Sequence, residues 1–158
     1  MRAPVTIRRA MQNDVPTIVA FSAALFHEDA GQRDPTMNLE WAAQEGTAYF
    51  SQMLAEPSSI IFLAEVEERQ VGYLAGYARA PNSLHRQPSA ELESMFVQDS
   101  HRGQGVGKAL ARAFFAWCQN NAAHRITVTA YSKNEPAVQF YRRLGFQPKQ
   151  LTLEAIIE

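Results

Sequence analysis

The chain has 158 residues, 16 of them acidic and 15 basic, for a net charge of −1, so no charge excess marks it as a nucleic-acid binder. Its one cysteine, Cys118, excludes an intramolecular disulfide and a thiolate metal cluster within one chain. It has no signal-length apolar N-terminus and no run of about 18 apolar residues, so it reads as one soluble, cytoplasmic domain over residues 1–158.

Residues 6–10 open as a strand, and Asn13 or Asp14 can cap a helix whose Val15, Ile18, Val19, Ser22, Leu25 and Phe26 share a face. That helix runs to about residue 29. Turn residues fill 29–36, and a second helix carrying Leu39, Ala42 or Ala43, Tyr49 or Phe50, and Met53 reaches Pro57. Residues 60–65 and 71–78 read as strands joined by a charged hairpin turn at 67–70, and 80–88 as a polar loop. In the next strand, 91–97, strict alternation puts Glu91, Glu93, Met95 and Val97 on one face. A long helix follows with Val106, Leu110, Ala113 or Phe114, and Trp117 at helical spacing. Cys118 lies in it and reads as a buried, inert thiol. Residues 126–130 are β-rich, a short helix begins after Asn134, and 150–157 read as a closing strand. The order β-α-α-β-β-β-α-β-α-β is that of an α/β fold.

Between the 91–97 strand and the long helix lies Arg102-Gly-Gln-Gly-Val-Gly-Lys108. The first amides of a helix lack internal partners and sit at the positive end of its dipole, and glycines let an anion approach the backbone closely. Arg102 and Lys108 add positive charge, so the loop reads as a phosphate cradle. It is not a nucleotide-triphosphate loop, because Arg102 stands where that motif needs its first glycine and Ala109 where it needs Ser or Thr. The dinucleotide fingerprint fails as well: Gly103, Gly105 and Gly107 have the wrong spacing, far from the first strand.

A second motif follows at Asn134-Glu-Pro-Ala-Val-Gln-Phe-Tyr-Arg-Arg-Leu-Gly-Phe146. Asn134 suits an N-cap and Pro136 the first turn. Ala137, Phe140, Tyr141 and Leu144 make an apolar face, Arg142 and Arg143 suit the negative end, and Gly145 supplies a left-handed stop. Arg102-x-x-Gly105-x-Gly107 followed about thirty residues later by this Asn…Phe-Tyr…Gly-Phe pattern resembles the GNAT superfamily of N-acetyltransferases, and the element order resembles that fold along essentially the whole chain.

The resemblance implies acetyl-coenzyme A as cofactor. Residues 102–108 (Arg102, Gly103, Gln104, Gly105, Val106, Gly107, Lys108) would bind its diphosphate, the backbone of Met95, Phe96 and Val97 its pantetheine and thioester, and Asn134 and Tyr141 would lie beside them. It implies that Tyr141 protonates the departing sulfur and that Glu93 takes the amine proton, with Glu91 in reserve. The residues alone leave each role open: Tyr141 sits where a tyrosine packs, Asn134 where an asparagine caps, and Glu93 where a carboxylate is solvated. His27, His85, His101 and His124 lack ligand spacing, so no metal is expected.

Charge is uneven along the chain. Residues 28–68 hold nine carboxylates against Arg33, and residues 101–149 hold eight cations against Glu135. This suits a coenzyme-gripping C-terminal part facing a cationic acceptor, without nucleic acid or membrane as partner. The acceptor pocket expected from the resemblance contains Phe26, Glu28, Asp29, Asp34, Tyr73, Tyr77, Glu91 and Glu93. It points to a small polycationic amine such as a polyamine or an aminoglycoside, acetylated by direct attack in a ternary complex. Alternatives are a peptide N-terminus or lysine as acceptor, or a coenzyme A-binding module without catalysis. A homodimer is implied by the resemblance alone.

Overall fold

A computed structural model describes residues 2–158. Five strands form one sheet in the order β1 (Val5–Arg9), β2 (Ser59–Val66), β3 (Arg69–Arg79), β4 (Ser89–Val97), β5 (Arg125–Val128). The first three junctions are antiparallel and the last is parallel, as the crossover helix between β4 and β5 requires. Helices α1 (Val15–Glu28) and α3 (Trp41–Ala55) cover one face, and α4 (Val106–Asn120) covers the other. The segment expected to be only a turn after α1 contains a single helical turn, α2 (Ala30–Arg33), and α5 (Glu135–Arg143) follows β5.

Strand alternation, shifted in β3 by a bulge at Val71, builds both cores. Ile60, Phe62 and Ala64 of β2 and Val71 and Leu74 of β3 meet Val106, Leu110, Phe114 and Trp117 of α4. Ile61, Leu63, Tyr73 and Ala75 point the other way, onto Ile18 and Phe21 of α1 and Phe50 and Met53 of α3. Gly76 lets α4 approach the sheet: a Cβ there would stand 2.4 Å from the Phe114 ring and 2.7 Å from the Glu91 carbonyl oxygen. The β2–β3 turn places Glu67 and Glu68 at φ 49° and 63°, the left-handed pair that a two-residue hairpin needs. At the start of α1 the buried Asp14 carboxylate accepts two bonds from Arg8, at 2.8 and 3.0 Å, and one each from the Met11 amide and the Gln70 side chain.

Two expectations require correction. Residues 150–157 form no strand: nothing after Arg143 is in a helix or strand, and Leu151, Leu153, Ile156 and Ile157 are 76–93% exposed. A strand exists only through its ladder, and this segment meets no sheet edge in the chain. The alternation expected along β4 also fails. Ser94 pairs with Ala75 but Leu92 with Gly76, so Glu93 is the extra residue of a bulge. Glu91 and Glu93 therefore lie on the α1–α3 face, whereas Met95 and Val97 beyond the bulge pack against the α4 core.

Candidate active site

The bulge lies where the sheet opens. β5 pairs with β4 only over Ser89–Leu92, so residues 93–97 carry no strand on that side. Their free backbone groups form an edge on which an extended amide-bearing chain can add hydrogen bonds.

Beyond that edge is the glycine loop. Gly103 and Gly105 have φ 67° and 88°, in the region glycine enters without steric cost, and a Cβ at either would meet nothing within 4 Å. Gly105 stands at the N-cap of α4, and no side chain caps that helix. Among the described residues, the amides of 103–108 donate to no protein acceptor. These amides, with Lys108 exposed beside them, fit the diphosphate expected there. Arg102 is held at the cradle's edge by three contacts. Its Nε donates to the Val97 carbonyl at 2.8 Å, its guanidinium pairs with Glu28 at 2.6 Å, and it stacks over the Phe96 ring at 5.4 Å.

On the α1–α3 face a pocket of about 350 Å³ is lined by side chains that include Leu25, Phe26, Asp29, Met37, Trp41, Tyr49, Phe50, Tyr73, Glu93, Ser94 and Tyr131. Glu93 is half-buried in it and accepts a short hydrogen bond from the Tyr49 hydroxyl. Burial raises the Glu93 pKa, the Tyr49 bond opposes that, and the negative charge of Glu91 adds to it. The result is a carboxylate more basic than usual. The Tyr73 hydroxyl donates to Ser94 at 2.9 Å, fixing the strand next to the bulge. A separate cavity of about 210 Å³ under Arg9, Pro57 and Trp117 shares no lining residue with this pocket.

Asp29 connects the pocket to α5. Its Oδ1 accepts from Asn134 Nδ2 at 2.9 Å and from Arg33 at 3.1 Å, while Asn134 Oδ1 caps α5 by accepting from the Ala137 amide at 3.3 Å. Tyr141, one helical face further along, packs between Phe140 and Phe146. Burial pushes its phenol up to about 12, with Asp29 contributing, so it stays protonated. Its hydroxyl has no hydrogen-bond partner among the described residues.

The expected acceptor residues do not all meet. Phe26, Asp29, Tyr73 and Glu93 line the pocket. Glu28 faces Arg102, Asp34 is bound to Thr36, and Glu91 and Tyr77 converge on Arg79 outside it. Trp41, Tyr49, Met37 and Tyr131 line the pocket without having been singled out. In the sequence Tyr49 was only an alternative to Phe50 on a core-facing helix stripe, and no local pattern shows which of two adjacent aromatics turns toward a strand 44 residues away.

A parted sheet, an amide cradle heading the crossover helix and a pocket beside the bulge accord with the acetyltransferase (GNAT) fold class. The chain belongs to that family, which matches residues 24–146; GNAT acetyltransferases use acetyl-CoA. An N-acetyltransferase of Methanocaldococcus jannaschii that is itself uncharacterized is 26% identical over 103 residues, 65% of this chain and 46% of its own length. The matches span less than half the length of the first curated relatives. The fold recurs in the aminoglycoside N-acetyltransferase AAC(6')-Iy solved with CoA, at 18% identity, TM-score 0.78, and coverage of 99% of this chain and 97% of that one. It recurs equally in a protein described as a transcriptional regulator from Bacillus halodurans, at 21% identity, TM-score 0.78, and coverage of 98% and 100%. Likeness at this level speaks for the fold.

Proposed function

We propose that this chain transfers the acetyl group of acetyl-CoA to a primary amine on a small cationic acceptor, with both substrates bound together. The observation that carries the reading is the link made by two consecutive residues at the end of α1. Glu28 grips Arg102 of the cradle, and Asp29 holds Asn134 at the head of α5 while lining the pocket that contains Glu93. These contacts tie the end of α1 both to the cradle and to the head of the Tyr141 helix.

The coenzyme, when bound, supplies an activated acetyl thioester. The chain's own residues supply the rest. The amides of 103–108 and Lys108 hold its diphosphate, and the open edge of Met95, Phe96 and Val97 aligns its amide-bearing arm. Glu93, made more basic by burial, takes a proton from the incoming ammonium, which must be neutral to attack. Tyr141, protonated at neutral pH, provides a proton for the departing thiolate. Cys118 is buried and its thiol is pushed up to about 12, so no thiolate competes as a covalent carrier. The proposal includes a cytoplasmic homodimer, for which exposed Leu151, Leu153, Ile156 and Ile157 offer an apolar surface.

Thiol release from acetyl-CoA in the presence of primary amines tests the reaction. The expected result is amine-dependent release that Tyr141→Phe slows by about 10²-fold when chemistry limits the rate. Tight acetyl-CoA binding with no amine-dependent release would contradict it.

A further inference from the structure

We infer that the pocket beside Glu93 is built for a monoamine with an apolar, preferably aromatic, body, and disfavours polyamines and aminosugars. For its reaction the inference rests on the acetyltransfer reading above; for its binding it rests on the pocket alone.

The charge pattern of the sequence suggested an acidic pocket, but the fold neutralises most of that acidity. Arg102 pairs with Glu28 at 2.6 Å and Arg79 with Glu91 at 2.5 Å, and Asp29 is shared by Arg33 at 3.1 Å and Asn134 at 2.9 Å. Asp34 lies outside the pocket and holds Thr36. Among the described residues, Glu93 is the one carboxylate lining the pocket without a cationic partner. It offers one counter-charge and therefore one ammonium position. A second ammonium inside would lose its water without gaining an anion.

The walls agree. Phe26, Trp41 and Phe50 form a ring cluster with Tyr49, with Phe26 and Tyr49 centred 5.6 and 5.2 Å from Trp41, and Leu25 and Met37 extend it. Of the hydroxyls lining the pocket, Tyr49 is committed to Glu93, Ser94 and Ser22 face the Tyr73 hydroxyl, and Tyr131 faces Asp34. A hydroxyl-rich sugar would leave its own groups unpaired, whereas an aryl or alkyl body gains by burial and an ammonium gains from ring faces. At about 350 Å³ the pocket is near the lower end of small-molecule sites, which suits one or two rings.

Trp41 is a built-in reporter, since the other tryptophan, Trp117, lies in the α4 core. Fluorescence titrations with 2-phenylethylamine, hexylamine, spermidine and kanamycin at equal ionic strength, with and without coenzyme A, should rank the two monoamines at least about 10-fold tighter than the polycations. Met37→Glu, a change in the loop before α3 that adds a second anion to the wall, should move the ratio toward spermidine by about 10-fold or more. Tighter binding of spermidine or kanamycin, or no binding by either monoamine, would overturn the inference, as would an unchanged ratio in Met37→Glu. A monoamine that binds but is not acetylated with acetyl-CoA present would instead overturn the acetyltransfer reading and leave the pocket inference standing. Acetylation of kanamycin in preference to 2-phenylethylamine would do the reverse.

Discussion

Among single residues, Glu93 owes its basicity to a balance. Burial and Glu91 push its pKa up, and the Tyr49 hydroxyl pulls it back by bonding the ionised form. Tyr49→Phe removes only the lowering contribution. The acidic limb of the kcat/KM profile, where Glu93 must be deprotonated to act, should therefore move to higher pH, while a purely structural role for Tyr49 would leave it in place. The strand that carries Glu93 was legible in the sequence because the neighbouring motif located it. That Met95 and Val97 turn to the face opposite Glu91 and Glu93 was not, because strict alternation cannot foresee a bulge. Tyr49 was legible only as an aromatic on a helix, since its role depends on a strand brought to it by the fold.

Among the elements, the chain order of the four longer helices and of the first five strands was readable because each has a clear period and clear stops, such as Asn134 capping α5 through the Ala137 amide and Gly145 at φ 99° ending it, whereas the single turn α2 was not. Close contacts between elements were not readable. Gly76 looks like any small strand residue, yet it is where the Phe114 ring of α4 presses on β3. Gly76→Ala should cost about 2 kcal/mol and lower the melting temperature by about 4–8 °C. Because Gly76 pairs with Leu92, the residue next to the bulge in β4, that variant should also disturb the bulge and reduce activity beyond the loss of folded protein, checked by rates normalised to folded fraction.

At the scale of the whole molecule, the sequence shows a charge division that the fold redistributes. Carboxylates from the acidic stretch serve as partners for distant arginines, Glu28 for Arg102 and Glu65 for Arg8, so acidity in sequence does not become acidity in the cleft. The final segment shows the complementary failure: an alternating apolar sequence predicts a strand, but a strand needs a partner, and this segment docks on neither edge of the sheet. If that segment mediates the proposed homodimer, sedimentation of the full chain should give twice the mass of a chain ending at Gln147, and equal monomeric masses for the two would remove the dimer from the account. No helix among the described residues is long and apolar enough to cross a membrane.

The proposed reaction is direct transfer from the coenzyme to an amine, with Glu93 as base and Tyr141 as acid. It is tested most directly by mass spectrometry of a rapidly quenched mixture of chain, acetyl-CoA and 2-phenylethylamine, reading both the amine and the intact protein. Acetylated amine should accumulate while the protein stays unmodified, and Glu93→Gln should suppress the product near neutral pH. Acetyl groups on the protein ahead of product, or product formed equally well by Glu93→Gln across the pH range, would contradict it.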